Sequence, residues 1–350
     1  MISKEDLPLE PRGASDHEKW LALGVSRTVY SLPFPEVRAF LAGELARVEP
    51  MLARHDKPWE KSQDGMHEAL RLGWERFSAK AGFGMGRPAD WRFYPTAGAS
   101  EALRETLAAM RARGERLAVF EGEYEGYEMM ARALGMEVRK VKRARWRDEL
   151  PRAWAGGFEL FVSNPSAVDG QHWRDFGACC ELAGARGGRV HLDAAYVGGC
   201  ALSEPIDASP EAVRSVFFSL SKPFGVYYRR IGGCFSRDPN ALLAPNLWFK
   251  NLDSIWIGER LLSRFGPGEL QRAWEGARQD VAAALSERHG WALRPSDVFL
   301  VARSDAHGLA PLSRVAGAPA RVCLTPALSA EIERRWAASA PKVEKGAPHD

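Results

Sequence analysis

The order of strand-like and helix-like segments between residues 92 and 234 constrains the fold more than any other feature of the chain. Short apolar runs, typical of buried strands, alternate there with segments of helical periodicity. Strands that alternate with helices are joined in parallel through right-handed crossovers. The sequence therefore predicts an α/β fold with a mostly parallel sheet between helices. The predicted strands are 116–120, 136–142, 158–163, 188–193, 213–219 and 229–235.

The two ends of the chain follow different patterns. The first 35 residues have no clear period and contain Pro8, Pro11, Pro33 and Pro35, which predicts an extended arm. The last ten residues are rich in proline, lysine and glycine, and we predict a disordered tail. The remaining predicted elements are helices at 36–48, 64–81 and 327–339, a helical region at 254–290 that breaks at Gly266-Pro267, and a strand pair at 297–302 and 320–325.

Length and composition are compatible with a two-domain protein. A chain of 350 residues suits one large α/β domain and a smaller one, and 45% hydrophobic residues provide an ample core. We predict an N-terminal arm with part of the small domain (1–45), a large domain (46–253), a C-terminal small domain (254–340) and the tail (341–350).

Charge and cysteine content argue against several functional classes. The formal net charge of +3 is small for this length and the basic residues are spread, so no nucleic-acid or membrane partner is expected. Five cysteines show no metal-ligand spacing, and their odd number favours free thiols in a reducing cytoplasm. Cys179 and Cys180 lie in a predicted buried helix. No signal peptide or membrane-spanning run is recognised, and we expect a cytoplasmic protein without a metal.

The segment from Ser219 to Gly233 carries the first chemical signal. Lys222 stands beside Ser221 and three residues after Ser219, and Arg230 follows eight residues later. A neutral lysine amine condenses with an aldehyde to a Schiff base, and hydroxyl and guanidinium groups bind phosphate. A cofactor with both an aldehyde and a phosphate is pyridoxal 5′-phosphate, PLP. The alternative is an ordinary surface lysine.

A second signal is a strand that breaks at Gly98 and leads directly into a helix. Small residues at a helix start, here Gly98, Ala99 and Ser100, leave backbone N–H groups free for phosphate. The alternative is an ordinary helix with Ser100 as its N-cap and Glu101 in the first turn.

Polar residues also end two predicted strands. Asn164 follows the strand 158–163, where it can hydrogen-bond a ligand or simply start a turn with Pro165. Asp193 ends the strand 188–193, with Tyr196 three residues on. Asp193 can pair with a protonated pyridine nitrogen and Tyr196 can reach the 3′ oxygen of the same ring. The alternative for Asp193 is to cap the next helix.

The order and spacing of these residues resemble the fold-type-I PLP-dependent enzymes, most closely the class I/II aminotransferases of the aspartate aminotransferase superfamily. Residues 60 to 235 carry the resemblance. It implies a seven-stranded, mostly parallel sheet in the large PLP-binding domain and a small α+β domain from both termini. It also implies a homodimer.

The resemblance assigns a role to each candidate residue. Lys222 would form the Schiff base, Asp193 would pair with the pyridinium nitrogen, and Tyr196 and Asn164 would contact the ring 3′ oxygen. Tyr124 would stack on the ring, whereas Tyr127 is interpreted as helix packing and left out of the site. The residues assigned to the phosphate are Gly98, Ala99, Ser100, Ser219, Ser221 and Arg230.

The activity that the resemblance implies is amino-group transfer from an α-amino acid through a Lys222 Schiff base and a 1,3-proton shift. An enzyme of this kind can serve specialised biosynthesis. Arg321 resembles the arginine that binds the substrate carboxylate, and its alternative is an edge-strand arginine in solvent. Other reactions on the same fold remain as alternatives, namely β/γ-elimination or replacement, cyclisation and amino-acid oxidation. A non-catalytic PLP-binding sensor is a further alternative.

Two features depart from the family pattern. The segment after Lys222 is short, and no tyrosine precedes the helix start at Asp64-Gly65, where relatives place one that reaches the partner subunit's phosphate. Trp59 or Lys61 is the candidate replacement.

Overall fold

The computed structural model describes residues 14–200, 204–248 and 251–339 of the chain. The predicted tail at 341–350 and the first part of the predicted arm lie outside these residues. The structure is organised around a seven-stranded sheet with the order β2-β9-β8-β6-β5-β3-β4. Its strands are β2 (Arg92–Thr96), β3 (Arg116–Phe120), β4 (Val138–Val141), β5 (Phe158–Ser163), β6 (Val190–Asp193), β8 (Val213–Ser219) and β9 (Gly232–Ser236).

Five neighbouring strands of this sheet run parallel, from β4 through β3, β5 and β6 to β8. Strand β9 is antiparallel to both of its neighbours, because the chain leaves β8 at Ser219 and re-enters the sheet directly opposite, at Gly232. A short local return of this kind gives antiparallel pairing, whereas parallel neighbours need a crossover. The mostly parallel seven-stranded sheet between helices is thus confirmed.

Helices precede, connect and follow these strands. They are α1 (Ala14–Ala22), α2 (Pro35–Leu45), α3 (Val48–Leu52), α4 (Asp64–Lys80), α5 (Ala99–Ala112), α6 (Glu125–Ala133), α7 (Trp146–Ala155), α8 (Phe176–Ala185), α9 (Ser221–Phe224), α10 (Leu252–Arg264), α11 (Glu269–Ala273), α12 (Glu275–His289) and α13 (Thr325–Ser339).

Two small sheets complete the described residues. Strands β10 (Arg294–Pro295), β11 (Val301–Ser304) and β12 (Ala320–Cys323) form an antiparallel sheet. The predicted strand at 320–325 is confirmed, whereas the strand predicted at 297–302 begins only at Val301. Strands β1 (Phe83–Gly84) and β7 (Ile206–Asp207) pair in parallel.

The prediction of an extended arm through residue 35 is wrong for residues 14–22, which form helix α1. The prolines that suggested the arm lie outside these nine residues. Trp20 of α1 packs against Trp291, with ring centroids 6.5 Å apart, so the helix is held by tertiary contact. Ser26, which follows α1, pairs with Cys323 at the end of β12.

The core lies on both faces of the central sheet. Neighbouring residues of a strand point to opposite faces, so Phe217 and Phe218 of β8 enter separate apolar clusters. Phe218 stacks on Trp74 of α4, with ring centroids 4.1 Å apart. The predicted burial of Cys179 and Cys180 in a helix is confirmed by α8. All five cysteines are free thiols.

The described residues contain no helix long and apolar enough to cross a membrane. In the same part of the chain, no group of three or more histidine, cysteine or acidic side chains is arranged to hold a metal ion.

A glycine fixes the approach of the N-terminal segment to helix α9. Gly225 follows α9 with φ at +72°, and a Cβ atom there would lie 1.9 Å from the Leu32 carbonyl oxygen. Gly225 therefore allows residues 32 and 33 to pass directly over the end of α9.

We predict that Gly225→Ala destabilises the protein much more than Gly187→Ala. Both glycines have positive φ, which costs a substituted alanine on the order of 1–2 kcal/mol, but a Cβ at Gly187 would meet no atom within 4 Å. The overlap at Gly225 should bring its total cost to about 3 kcal/mol or more. Midpoints of urea unfolding of the two variants measure the difference, and equal losses would contradict the proposed close approach.

Candidate active site

The candidate site lies where the parallel strands of the central sheet end. Ser163 of β5 is in register with Asp193 of β6, and Asp193 is in register with Phe217 of β8. The carboxyl ends of these strands therefore lie along one edge, which is where open α/β sheets bind ligands. Asn164, Asp193 and Lys222 leave the sheet at this edge.

Asp193 is a buried carboxylate with two hydrogen-bond donors. The Tyr127 hydroxyl donates to its Oδ2 at 2.7 Å, and the Ala195 backbone N–H donates to its Oδ1 at 2.9 Å. Burial raises the pKa of Asp193, while these bonds and the charge of Lys222 oppose the rise. The carboxylate is thus held in one orientation, and Asp193 does not serve as a helix cap.

Tyr127 is the site residue that sequence reasoning missed. Its side chain is fully buried, and burial together with the charge of Asp193 keeps its pKa well above 10, so the phenol is a proton donor at neutral pH. Interpreting Tyr127 as helix packing alone was wrong. The available signal was its spacing, three residues after Tyr124, which places both rings near one face of α6.

Lys222 is a buried amine in the short helix α9. Its ammonium donates a hydrogen bond to the Val29 carbonyl of the N-terminal segment. Burial lowers the pKa of Lys222 to about 8, and the charges of Arg321 and Arg230 add to that, against the opposing effects of Cys323 and Asp193. The interpretation as an ordinary surface lysine is therefore wrong.

Helix α5 begins in a crowded cradle of small residues. Gly98 caps its N-terminus with φ at +77°, and a Cβ on Gly98 would lie 3.1 Å from the Arg230 guanidinium and 3.6 Å from Ser219 Oγ. The helix starts at Ala99, so Ser100 is not its N-cap, whereas Glu101 lies in the first turn as predicted. Only glycine allows the helix start and the guanidinium to approach so closely.

This cradle fits a phosphate. The hydroxyl of Ser221 is buried and has no hydrogen-bond partner among the described residues, and the Ser221 N–H donates to Ser219 Oγ at 3.2 Å. A buried hydroxyl without a partner is rare and costly. Free N–H groups at the start of α5, the Ser221 hydroxyl and the Arg230 guanidinium are together the donors that a phosphate needs.

Tyr124 borders the same cradle. Its ring packs over Gly126, where a Cβ would lie 2.3 Å from it, and meets the Tyr127 ring edge-on with centroids 5.4 Å apart. Burial raises the pKa of Tyr124, and hydrogen bonding from Ser100 opposes the rise. The side chain nevertheless keeps 41% exposure, so one part of the ring remains open to a ligand.

Asn164 is oriented by backbone contacts. Its Oδ1 accepts from the Trp173 N–H at 2.9 Å and its Nδ2 donates to the Trp173 carbonyl at 3.3 Å, which leaves one amide hydrogen for a ligand.

The preceding Ser163 donates to the buried carboxylate of Glu123 at 2.6 Å. Burial raises the pKa of Glu123 to about 7.

Arg321 is buried rather than exposed at a sheet edge. It is 2% exposed, and its guanidinium donates to the Ala167 carbonyl at 2.6 Å and to the Arg27 carbonyl. Its Nε has no hydrogen-bond partner, and no carboxylate of the described residues forms an ion pair with it. The solvent-exposed alternative is thus wrong, and Arg321 is a buried charge without a counterion among the described residues.

Tyr196 lies near Arg321. Burial raises the pKa of its phenol to about 12, although the charge of Arg321 opposes the rise. The phenol therefore remains protonated at neutral pH and can donate a hydrogen bond.

Comparison with known proteins shows which family and which structures the chain resembles. Residues 93–264 match the family model of aminotransferase class I and II. A double mutant of Thermus thermophilus aspartate aminotransferase superimposes with a TM-score of 0.70 at 17% identity, over 97% of this chain and 99% of that chain. No curated protein sequence matches the chain.

Two further structures share the fold. YbdL from Escherichia coli, described as having a methionine aminotransferase function, gives a TM-score of 0.65 at 16% identity and covers 95% of this chain and 99% of that chain. MppP, soaked with its product 2-ketoarginine, gives a TM-score of 0.65 at 14% identity and covers 87% of this chain and 97% of that chain. Over residues 93–264 the chain is similar to the class I/II aminotransferases, a family whose cofactor is PLP, and it shares their fold.

We predict that the protein without cofactor reacts with added PLP at a rate that rises with pH and levels off above pH 8. Only the neutral amine attacks an aldehyde. The lowered pKa of Lys222 makes the neutral amine the dominant form above about pH 8, instead of above pH 10.5 as for an ordinary lysine. Below pH 8 the rate constant should rise about tenfold per pH unit. Stopped-flow absorbance measures it, with Nα-acetyl-lysine as the unburied amine and Lys222→Met as the unreactive variant. A midpoint near that of Nα-acetyl-lysine would contradict the lowered pKa.

Proposed function

We propose that this protein is a PLP-dependent aminotransferase, a transferase of nitrogenous groups that acts on an α-amino acid. The observation that carries the proposal is the buried Lys222 amine beside the buried Asp193 carboxylate, at the edge where the parallel strands end. When bound, PLP supplies an electron sink for the pair released when a substrate Cα bond breaks.

Lys222 and Asp193 perform the central steps in this proposal. Lys222 would hold the cofactor aldehyde, and as a free amine it would accept and return a proton at the substrate Cα. Asp193, held by Tyr127, would pair with the protonated ring nitrogen of the cofactor. Tyr196 and Asn164 would donate hydrogen bonds to the ring 3′ oxygen.

Other residues position the cofactor and the substrate. Tyr124 covers one face of the ring, and the Arg321 fork binds the α-carboxylate. Arg321 supports this assignment because a buried guanidinium without a counterion gains a partner when an amino acid binds. The phosphate is assigned to Gly98, Ala99, Ser100, Ser219, Ser221 and Arg230.

We predict that Lys222→Ala abolishes both the visible absorption band of protein-bound PLP and amino transfer. The direct test mixes the cofactor-loaded protein with single amino acids under single-turnover conditions and assays the matching oxo acid by mass spectrometry. One equivalent of oxo acid without ammonia or oxygen uptake supports aminotransfer. Lys140→Ala, an exposed lysine paired with Glu128, is the matched control and should keep the wild-type band and yield.

The products distinguish the other chemistries of the fold. Ammonia together with an oxo acid indicates elimination, and oxygen consumption indicates oxidation. Either result overturns the aminotransferase proposal while leaving PLP dependence intact. If added PLP produces no band that depends on Lys222, the whole assignment fails.

We also propose that the protein acts as a homodimer. Four large aromatic side chains are exposed in the single chain, namely Trp59, Tyr227, Tyr228 and Trp248, the last two with 92% and 63% of their surface exposed. Arg230 lies over the Tyr227 ring, and Lys61 lies 4.7 Å from the Trp248 ring centroid. Exposed aromatic residues are typical of interface cores, so a second subunit at this face would complete the site.

We predict that Tyr228→Asp shifts the protein from dimer to monomer and weakens PLP binding. A charge in an apolar interface is unfavourable, and Tyr228 is nearly fully exposed in the single chain, so the fold itself should be unaffected. Sedimentation velocity across a concentration series measures the mass, with Trp336→Asp on α13 as an exposed aromatic control. A wild-type monomer that retains PLP would overturn the dimer.

A further inference from the structure

A cavity of about 520 Å³ lies next to Arg321. Its lining includes Val168 and Asp169, which directly follow the residue whose carbonyl accepts the Arg321 hydrogen bond. Four basic and two acidic side chains face it: Lys142, Arg143, Arg303, Arg314, Glu121 and Asp169. Arg143 already pairs with Asp169, so the cavity retains an excess of positive charge from its other members.

Arg314 is a largely buried cation in this lining. Its side chain is 10% exposed, and its Nη1 donates to Glu125 at 2.6 Å, but its Nε is buried without a hydrogen-bond partner among the described residues. Glu125 is shared with Arg27 at 3.0 Å, so one carboxylate serves two guanidinium groups. Burial and the charge of Arg321 lower the pKa of Arg314 to about 10, which still leaves it charged at neutral pH.

Arg303 adds a second cation that has no ion-pair partner in the part of the chain that the structure describes. On the small antiparallel sheet, Arg303 is in register with Arg321, so both side chains leave the same face. Like charges directly opposite each other are destabilising. The Nε of Arg303 is also buried without a partner, and no ion pair links it to another described residue. An anion between these arginines would relieve the repulsion.

The charges of the arginine pocket, defined as Arg303, Arg314 and Arg321, exceed what an α-carboxylate neutralises. Together with Arg27, Glu125 and the other charged side chains that face the cavity, the pocket has six positive charges against the three negative charges of Glu121, Glu125 and Asp169. One α-carboxylate on Arg321 leaves a net excess of two. A substrate with a second acidic group would reduce that excess, whereas a cationic side chain would increase it.

We infer that the arginine pocket binds an amino acid with an acidic side chain, or the corresponding oxo acid. Arg321 takes the α-carboxylate, and Arg314 and Arg303 take the side-chain carboxylate. This inference rests on the proposed function and names its substrate class. It also separates the chain from MppP, whose product 2-ketoarginine carries a cationic side chain.

The test uses the cofactor-loaded full chain and four acids that lack an amino or oxo group, so that none can react. Succinate is compared with butyrate and glutarate with valerate, which matches chain length and changes only the second carboxylate. Isothermal titration calorimetry at constant ionic strength gives the affinities. The better-fitting dicarboxylate should bind about tenfold or more tightly than its matched monocarboxylate, as expected for one added charge-assisted hydrogen bond.

Variants assign that preference to residues. Arg314→Met should remove the dicarboxylate preference and leave monocarboxylate affinity unchanged, Arg314→Lys should keep part of it, and Arg321→Met should weaken all four acids. Arg294→Met is the matched control, because Arg294 lies on the same small sheet, in register with Arg303, but is 58% exposed and paired with Asp305. Thermal melts check that each variant is folded.

The outcomes keep the two levels of the proposal apart. Equal affinity of wild-type protein for matched dicarboxylates and monocarboxylates overturns the acidic-side-chain inference, while the Lys222-dependent band and product assay decide the proposed function separately. A preference that survives in both Arg314 variants also overturns the inference. Failure of all four acids to bind does so too, whatever the band shows.

Discussion

A carboxylate buried at the end of the middle strand of a parallel sheet sets the arrangement of the whole site. Desolvation of Asp193 is unfavourable unless donors and a cation surround it, and the Tyr127 hydroxyl, the Ala195 N–H and the nearby Lys222 charge provide them. Each partner comes from a different connection: the helix after β3, the turn after β6 and the short helix after β8. The parallel topology brings these connections to one edge. The fold therefore makes the electrostatic pair of Asp193 and Lys222 possible without a special loop.

The N-terminal segment links this pair to the small antiparallel sheet. The Val29 carbonyl accepts from Lys222, the Arg27 carbonyl accepts from Arg321, and Ser26 pairs with Cys323 at the end of β12. Backbone carbonyls satisfy two buried cations without neutralising them. The segment consequently stabilises the charges in the absence of a ligand and leaves their electrostatic attraction for anions in place. Gly225 is what allows the chain to pass close enough to do this.

The sequence predicted the frame of the fold well, since strands 158–163 and 213–219 have the predicted bounds and Asp193 and Lys222 follow from strand ends. It failed at α1, where a nine-residue helix depends on Trp20 packing on Trp291, a contact between distant parts of the chain. Tyr127 was missed for the same reason, because its role depends on a hydroxyl reaching a carboxylate 66 residues away. Arg314 gave no local signal, since its meaning comes from the loop that places it beside Arg321. Periodicity reports which face of an element is buried, and it does not report which buried polar groups meet.

Arg321 indicates how a ligand would change this balance. Its guanidinium is held by carbonyls from two separate places, Ala167 after β5 and Arg27 in the N-terminal segment, so it already joins the large sheet to the small one. A carboxylate makes stronger, charge-assisted bonds to the same fork than a carbonyl does, and the Nε that now lacks a partner offers a further donor. A bound carboxylate would therefore either add to the two carbonyl contacts or displace one of them. Displacement of the Ala167 carbonyl would release a contact that links β12 to the segment following β5, whereas displacement of the Arg27 carbonyl would release the N-terminal segment.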